Sequence, residues 1–575
     1  MARATAKERS KPSARAVDAE PALRREGHRD TVEAIVVALI LALVVRGFEA
    51  QAFVIPTGSM APTLMGRHKE VACPECGFTY AVNASEEVEL GSLSRDVYSG
   101  ICGNCRFQTR LDADPSFKGD RILVMMFPYD LPNLPGSSPP ERYDVVVFRY
   151  PEDPEVSYIK RLVGLPGETI RIYHGDAFVK KPGAADFVLA RKPWRHLQSL
   201  AISVHDDRYQ PRALRDRPEW RRYQGGNWTA ASETSRYETK GAASTEWSEL
   251  RYRHLTPEPD QWDAIKNDRV LPRPPRSKLV TDFYSYNTNM VAGSTDLLDD
   301  PRGEQEGAWR QPHWVGDLVL DFTLDVAKAG PQAAARIELV KGGVPGRCEI
   351  DLATGEAVFS RGGVELGKAS TTLKGAGSRR IQFANVDNRL TLVVDGVLAG
   401  GEGFEYEAGE GPPIPTEADL APVGVAVRGA DAAAADLVLK RDIYYTQTPG
   451  RLDYGAVWED RYPSTPTELN DFLSDPARFP DLKRVGMHDY PIGPDRYFMM
   501  GDNSPRSKDS RGWDTLDAAW DPSERKSWEV PRELITGKAF FIYWPHGVPF
   551  GPDIRLNKNT RLIFRPYFER MKWIR

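Results

Sequence analysis

Strict alternation of apolar and polar residues limits the fold of this chain more than any other feature. In "LVLDFTLDV", residues 318–326, every second side chain from Leu318 to Val326 is apolar, and "RLTLVVDG", residues 389–396, repeats the pattern before an Asp-Gly turn. Because successive side chains of a strand point to opposite faces, this period indicates strands with one buried face. Similar short runs occur at residues 336–340, 379–383, 423–427 and 437–440. We therefore predict a mostly β chain with a β-sandwich over about residues 300–441.

The N-terminal region combines a basic segment with an apolar run. Residues 1–30 carry eight Lys/Arg against five Asp/Glu, and "AIVVALILALVV", residues 34–45, follows without a polar interruption. A helix of that length rises only about 18 Å, short of a hydrocarbon core of about 30 Å, so a spanning segment has to include its flanks. We predict a transmembrane anchor over residues 31–55, with the basic tail of residues 1–30 in the cytoplasm and the remainder outside. The alternative is a cleaved secretory signal, since "AQA" at residues 50–52 resembles a small-residue cleavage site.

A tight turn follows the apolar region. The stretch "FVIPTGSMAPTL", residues 53–64, places one small hydroxyl residue, Ser59, between Pro56 and Pro62. The prolines fix φ and bias the residues before them toward extended geometry, which makes the turn rigid. Ser59 is therefore a candidate nucleophile, although a serine beside a glycine is also an ordinary turn former.

A nucleophilic serine needs a general base, and none of the nine histidines lies in a setting that suggests a triad. In "EVSYIKRLVGLPGE", residues 155–168, the period-two pattern places Lys160 on the apolar face of a strand and Arg161 on the other face. A buried lysine loses hydration, so its pKa falls toward the range of about 7–8 that suits a general base. The alternative is a lysine that snorkels from a strand edge to solvent.

The serine and lysine stretches belong to a collinear set of motifs: "GSMAPTL" (residues 58–64), "GDRILV" (residues 119–124), "KRLVGLPGE" (residues 160–168) and "GDNSPRSKDSR" (residues 501–511). In this order they resemble the boxes of bacterial-type signal peptidase I, a membrane-anchored serine endopeptidase with a Ser-Lys dyad. The resemblance implies an antiparallel β catalytic domain in two parts, residues 56–180 and 442–575, the second ending in a basic-aromatic tail. It also implies removal of signal peptides from exported preproteins at small-X-small sites, at the plasma (inner) membrane and with a single-pass topology.

The resemblance assigns roles to individual residues. Ser59 carries over as the nucleophile and Lys160 as the general base. The oxyanion hole combines the Ser59 backbone N–H with the hydroxyl of Thr57, a position where many members have serine. The supporting residues are Ser507, which matches the hydroxyl that orients the lysine amine, the ion pair of Asp509 with Arg511, and Asp502 with Arg161. The resemblance implies no cofactor for catalysis.

Four of the five cysteines occur between the serine motif and the next motif. The stretches "CPECG" and "CGNC" form a C-x2-C, 25-residue, C-x2-C arrangement that consists of Cys73, Cys76, Cys102 and Cys105. Two such turns supply four thiolates for a closed tetrahedral Zn²⁺ site, so we predict a structural, zinc-ribbon-like insertion over residues 70–108. The alternative is a pair of disulfides, which the outer compartment permits.

A second insertion, residues 181–441, separates the lysine motif from the last motif. Its alternating second half is similar to laminin-G or concanavalin-like sandwiches, which implies a candidate glycan or protein ligand without establishing one. Residues 188–300 are rich in Arg, Trp, Tyr and Pro with little periodicity, and they predict an irregular lead-in. The net charge of −5 gives no indication of a nucleic-acid partner.

Two other functions fit parts of the pattern. An inactive, membrane-tethered binding protein would use the sandwich and keep the peptidase fold as a scaffold, but Ser59 and Lys160 are both present. A repressor-type Ser-Lys autopeptidase shares the dyad, but it would need a DNA-binding helical module and no membrane segment. The predicted partners are therefore preproteins that carry signal peptides and the lipid bilayer.

Overall fold

Antiparallel strands make up most of the regular structure, which confirms the predicted mostly β class. The computed structural model describes residues 31–40, 50–89, 96–111, 116–126, 128–129, 138–231, 235–291, 312–407, 409, 411, 413–447, 453, 466–479, 485–513, 528–548, 555–557, 560–561 and 565–575.

The strands fall into three groups along the chain. Before the second insertion they are β1 (Ala50–Val54), β2 (His68–Ala72), β3 (Thr79–Asn83), β4 (Val97–Ile101), β5 (Gln108–Arg110), β6 (Arg121–Met125), β7 (Val145–Tyr150), β8 (Asp153–Gly164), β9 (Thr169–Tyr173) and β10 (Asp176–Lys180). Within it they are β11 (Val188–Leu189), β12 (Ile202–Asp206), β13 (Tyr223–Gln224), β14 (Thr229–Ala230), β15 (Arg236–Lys240), β16 (Ser248–Tyr252), β17 (Met290–Val291), β18 (Leu318–Lys341), β19 (Val344–Asp351), β20 (Glu356–Arg361), β21 (Val364–Ser370), β22 (Gly377–Val386), β23 (Arg389–Val394), β24 (Val397–Glu405) and β25 (Val423–Arg441). After it they are β26 (His488–Pro491), β27 (Arg496–Met500), β28 (Val530–Pro531), β29 (Ile535–Trp544), β30 (Gly547–Val548), β31 (Arg555–Asn557), β32 (Thr560–Arg561) and β33 (Arg565–Pro566).

The described helices are short. The α-helical segments are residues 31–40, Glu86–Glu89, Trp194–Leu200, Pro259–Lys266 and Pro466–Leu473. The 3-10 turns are Gly58–Met60, Arg212–Leu214, Pro218–Trp220, Ser285–Asn287, Glu417–Leu420, Pro476–Arg478, Ser504–Arg506, Ser510–Gly512, Arg532–Leu534 and Phe568–Arg570.

One seven-stranded antiparallel sheet combines strands from both sides of the second insertion. Its order is β1-β6-β29-β7-β8-β27-β28, so β29 lies between β6 and β7, and β27 pairs with β8. Successive side chains of β7 point to opposite faces of this sheet, and both faces are buried there. Val145 and Val147 pack in an apolar cluster that contains Ile55, whereas Val146 and Phe148 pack in a separate cluster. The sheet is therefore continuous although its strands are separated by hundreds of residues in sequence.

The predicted anchor over residues 31–55 is wrong at its C-terminal end. Ala50–Val54 forms β1, which pairs with β6 from Ala50 opposite Met125 to Val54 opposite Arg121. This stretch satisfies its backbone groups in a sheet rather than within a helix. Residues 31–40 are helical, whereas residues 41–49 and the tail of residues 1–30 lie outside the described residues. No helix in the described part of the chain has the length and apolar character needed to cross a membrane.

The predicted alternation in the second insertion is confirmed. Leu318, Leu320, Phe322, Leu324 and Val326 of β18 are all buried in one apolar core. The 24-residue β18 pairs with β22 along its first part and with β19 along its last part, and its register with β25 shifts in between. Such an irregularity lets a long strand bend and join two layers of a sandwich.

The predicted irregular lead-in over residues 188–300 is wrong, and the sandwich does not begin near residue 300. Strands β12, β15 and β16 pair directly with β25 and belong to the same thirteen-stranded sheet assembly. The pattern of β15 is short and polar, since Arg236–Lys240 has the sequence RYETK, in which Tyr237 and Thr239 are buried. These strands are therefore part of the sandwich.

The first insertion consists of two hairpins, β2-β3 and β4-β5. It packs against the second insertion, because Trp220, Leu255 and Trp262 share an apolar cluster with the four cysteines. In addition, β17 of the second insertion pairs with β4 of the first. The two insertions therefore share a core and a sheet.

Candidate active site

The turn that follows β1 presents Ser59. Thr57 has an extended backbone, with φ −116° and ψ 158°, and Gly58–Met60 then forms a single 3-10 turn. Met60 is completely buried below the turn, whereas Ser59 is 9% exposed. A core side chain thus fixes the turn, in agreement with the rigid geometry predicted from the prolines.

Strand β8 places Lys160 beside Ser59, the predicted nucleophile. Lys160 Nζ lies 2.9 Å from Ser59 Oγ. The lysine is only 5% exposed, which contradicts the alternative of a side chain that snorkels to solvent. Burial lowers the pKa of Lys160 to about 8, while Asp509 and Asp502 act in the opposite direction. A lysine in this range is neutral often enough to accept the Ser59 proton.

Arg161, the next residue of β8, forms a fully buried ion pair on the opposite face. Arg161 Nε and Nη2 donate to the two carboxylate oxygens of Asp502, both at 2.7 Å. The same guanidinium donates to the Tyr143 carbonyl at 2.7 Å and to Thr63 Oγ1 at 3.2 Å. This pair connects β8 with the residues that follow β27 and with the chain just beyond Ser59.

Asp509 and Arg511 form a second buried ion pair. Arg511 Nε donates to Asp509 Oδ1 at 2.9 Å, and Nη2 donates to Oδ2 at 2.6 Å. Asp509 also accepts the Gly501 N–H at 2.9 Å, and Arg511 donates to the Thr446 carbonyl at 2.6 Å. The pair closes residues 501–511 into a compact loop beside the dyad, where Asp509 favours the charged form of Lys160.

Ser507 lies in this loop, but its hydroxyl does not hydrogen-bond to Lys160. The side chain is buried and its Oγ has no hydrogen-bond partner within the described structure. It packs so closely on Gly501 that a Cβ there would overlap both Ser507 Oγ and the Ser59 carbonyl oxygen. Glycine at 501 therefore lets the loop approach the nucleophile, while orientation of the lysine amine by Ser507 stays a prediction.

Both predicted oxyanion donors are unengaged in the described part of the chain. Thr57 is exposed, and its side chain makes no capping hydrogen bond. No described group accepts a hydrogen bond from the Ser59 N–H. Donors that are not satisfied by protein groups are available to an oxyanion.

Sequence reasoning missed two amide side chains near Ser59. Asn503 donates from its backbone to the Ser59 carbonyl and from its side chain to the Gly58 carbonyl, both at 3.1 Å. Asn287, from the second insertion, pairs with the side chain of Asn503. Asn503 lies inside the last motif, which is a signal that could have identified it, whereas Asn287 lies outside every motif.

The four cysteines predicted as zinc ligands converge on one point. Their sulfur atoms all lie within 4.8 Å of one another, with Sγ–Sγ distances of 3.6 Å for Cys73 and Cys105 and 3.7 Å for Cys76 and Cys102. All four are free thiols, since a disulfide requires an S–S distance of about 2.05 Å. The four sulfur atoms are therefore close enough to hold one metal ion, and none of them is in a disulfide.

The two cysteine turns have the same backbone geometry. The Gly77 N–H donates to the Cys73 carbonyl at 2.8 Å, and the Arg106 N–H donates to the Cys102 carbonyl at 3.0 Å. Both donor residues have positive φ, 76° at Gly77 and 63° at Arg106. Four sulfur donors presented by two equal turns fit the closed coordination of a structural Zn²⁺.

Comparison with known proteins identifies similarity on both sides of the second insertion. The family model described as "Signal peptidase, peptidase S26" matches residues 107–192 and 455–544, which include Lys160, Asp502 and Asp509. Signal peptidase I of Pseudomonas fluorescens is 32% identical over 164 residues, which are 27% of this chain and 39% of that protein. Signal peptidase I of Pseudomonas aeruginosa is 52% identical over 59 residues, 9% of this chain and 21% of that protein. The chain thus matches less than half the length of these relatives.

Among solved structures, a Bacillus subtilis protein of unknown function with a galectin-like fold is similar to part of the chain. The match covers 42% of this chain and 99% of that protein, at 7% identity and a TM-score of 0.24. This TM-score is too low to support an inference about the second insertion, so its glycan or protein ligand stays a prediction. The family match and the relatives confirm the resemblance to bacterial-type signal peptidase I that the four motifs predict.

Proposed function

We propose that this chain is a serine endopeptidase of the signal peptidase I type, which removes N-terminal signal peptides from exported preproteins at small-X-small sites. The observation that carries the proposal is the 2.9 Å contact between Ser59 Oγ and buried Lys160 Nζ. An inactive binding protein that used only the sandwich would have no need for a serine paired with a desolvated lysine.

The chemistry follows from the dyad. Neutral Lys160 takes the proton of Ser59 Oγ as this oxygen attacks the scissile carbonyl carbon, and the Ser59 N–H and the Thr57 hydroxyl donate to the resulting oxyanion. When the tetrahedral intermediate breaks the C–N bond, protonated Lys160 gives its proton to the leaving amine. Water then attacks the acyl-enzyme, losing a proton to Lys160, which returns it to Ser59 Oγ as the acid product leaves.

The charges around Lys160 suit both directions of proton transfer. The amine has to be neutral before attack and positive afterwards. Burial favours the neutral form, whereas Asp509 and Asp502 favour the ammonium, and the balance is a pKa of about 8. Arg511, which is paired with Asp509, acts in the opposite direction and lowers the pKa of Lys160.

Strand β1 offers a place for the backbone of the substrate. It ends the seven-stranded sheet, pairs with β6 alone among the described strands, and leads directly into the Ser59 turn. A peptide added in extended form would be held by main-chain hydrogen bonds, with alternate side chains facing the site. This mode of binding suits selection of small residues at alternate positions.

The four cysteines have a proposed structural role that is separate from catalysis. Cys73, Cys76, Cys102 and Cys105 would hold a structural Zn²⁺ that cross-links the two hairpins of the first insertion. The proposed location is the plasma (inner) membrane, with a single-pass anchor, a cytoplasmic N-terminus and an extracytoplasmic catalytic domain. Its support is the apolar run of residues 34–45 with its basic flank.

A preprotein cleavage assay tests the function. We expect the wild type to release a signal peptide after a small-X-small site and Ser59→Ala to release none, with unchanged circular dichroism, because only one oxygen is removed. Ser85→Ala is the matched control, since its hydroxyl hydrogen-bonds to the nearby Asn83 side chain in the first insertion. Cleavage by Ser59→Ala at the wild-type rate, or a wild type that cleaves no preprotein, would contradict the proposal.

A further inference from the structure

A short segment of the second insertion, residues 284–289, lies directly against the nucleophile turn. It contains the 3-10 turn Ser285–Asn287. The Tyr286 side chain is completely buried, and its ring is so close to Gly58 that a Cβ on this glycine would overlap it. A residue with a side chain is therefore excluded at position 58 as long as Tyr286 keeps its place. The backbone beside Ser59 is thus packed against the insertion.

Asn287 extends this contact through hydrogen bonds. Asn287 Nδ2 donates to Asn503 Oδ1, and Asn503 Nδ2 donates to Asn287 Oδ1, both at 2.8 Å. The reciprocal pair fixes the orientation of the Asn503 amide, which donates from Nδ2 to the Gly58 carbonyl at 3.1 Å. The Asn503 N–H holds the Ser59 carbonyl at 3.1 Å. Both asparagines are buried, so water cannot easily replace a lost hydrogen-bond partner, and removing either side chain leaves the other amide unsatisfied at a cost in free energy.

The other end of the segment is attached to the first insertion. The Ile101 N–H donates to Thr288 Oγ1 at 2.9 Å, and Met290 of β17 pairs with Ser99 of β4. The Arg106 guanidinium lies 3.6 Å from the centroid of the Phe283 ring. These contacts are made next to the second cysteine turn. Residues 284–289 therefore form a bridge, with one end on the first insertion and the other on the turn that contains Ser59.

We infer that Asn287 is a positioning residue for the nucleophile, acting through Asn503 on the carbonyls of Gly58 and Ser59. The 3-10 turn contains no sheet hydrogen bonds of its own, so the amide pair limits where Ser59 Oγ and the Ser59 N–H can lie relative to Lys160. The second insertion is then part of the catalytic machinery and not only an appended module. This inference rests on the proposed function, because it deepens the role of the same site.

The test compares three variants of the full-length protein. Asn287→Ala removes the pair, and Asn287→Asp keeps the volume but sets a carboxylate oxygen against Asn503 Oδ1. Asn289→Ala is the matched control, because Asn289 is equally buried in the same segment and its Oδ1 has no hydrogen-bond partner in the described structure. A β-lactam probe that acylates serine nucleophiles is used to count the active sites. We then measure kcat per titrated site and KM for cleavage of a preprotein. The third measurement is the rate at which the probe acylates Ser59.

The expected result is a fall of about tenfold or more in kcat per titrated site for both Asn287 variants, with KM within about twofold of wild type and a parallel fall in the acylation rate. Asn289→Ala should match the wild type in all three quantities. A merely structural role would lower the number of titrated sites and leave kcat per site unchanged, and that result would overturn the inference. If the wild type acylates but cleaves no preprotein, the proposed function fails, whereas the order of acylation rates still decides the role of Asn287.

Discussion

The two members of the proposed dyad, Ser59 and Lys160, are held in place by different kinds of structure. Lys160 lies within β8, opposite Val146 of β7, in the middle of a continuous sheet. Ser59 lies in a single 3-10 turn that contains buried Met60 and accepts hydrogen bonds from Asn503, which in turn pairs with Asn287. The proposed general base is thus positioned by strand register, and the proposed nucleophile is positioned by side-chain contacts.

This difference predicts different sensitivities. A strand cannot move by a fraction of a residue without losing its hydrogen bonds to the neighbouring strands. A slip of one residue would turn Lys160 to the opposite face of the sheet. The strand register therefore places Lys160 in an all-or-none manner. A turn can shift by small steps as its contacts weaken. We therefore expect graded losses of activity from changes around Ser59, and losses around Lys160 that reflect its chemistry rather than its placement.

The largest expected effect tests the base itself. Lys160→Arg keeps the positive charge and the strand position, but a guanidinium does not deprotonate in proteins and cannot accept the Ser59 proton. We expect kcat/KM to fall by about 10³-fold or more, as far as for Lys160→Ala. Steady-state cleavage of a preprotein measures it. If the arginine variant retained a substantial fraction of the activity, Lys160 would have an electrostatic role. The proposal that β8 positions a general base would then be wrong.

The next effect concerns the turn. Thr57→Val keeps the β-branched shape of an exposed residue whose side chain makes no capping hydrogen bond, so the fold should not change. If the hydroxyl donates to the oxyanion, kcat should fall by about 10²-fold while KM changes little, because the interaction forms only in the transition state. Thr57→Ser, which keeps the hydroxyl, is the matched control and should retain most of the activity. Equal rates for the valine and serine variants would remove Thr57 from the site.

The same division separates what the sequence could and could not predict. Motifs whose local pattern encodes a turn and a strand predict Ser59 and Lys160 as site residues, and alternation predicts β18, and the turn and both strands are present. By contrast, β15 escaped prediction because its polar RYETK stretch has little apolar alternation and pairs along its whole length with β25, almost two hundred residues away. Asn287 gave no local signal for the same reason, since its partner is 216 residues distant. The sequence of β1 predicts part of an anchor, because its place beside β6 depends on another segment.

The pH dependence tests the environment of the base. Burial lowers the pKa of Lys160 to about 8, and in the proposed mechanism the neutral amine is the active form. Below this value kcat/KM should therefore rise about tenfold per pH unit, and above it the profile should level off. Because Asp509 raises the pKa of Lys160, Asp509→Asn should move the inflection to lower pH, provided that the variant is shown to fold. An inflection near the ordinary lysine value of about 10.4 would mean that Lys160 is solvated in the working enzyme.

The smallest expected effect on chemistry comes from removing the metal. The four cysteines lie in an apolar cluster of their own, and the bridge of residues 284–289 is one of the links from the first insertion to the Ser59 turn, so metal loss should act first on stability. We expect one zinc per chain by elemental analysis, and a chelator or Cys102→Ala should abolish binding and lower the melting temperature by about 5 °C or more. Cys348→Ala is the control, since Cys348 lies in the sandwich core and should leave the metal content unchanged. Two disulfides by mass spectrometry with no metal would replace the site. If metal removal lowered kcat per titrated site more than Asn287→Ala does, the first insertion would be the main support of the Ser59 turn, and the pair of Asn287 and Asn503 would not.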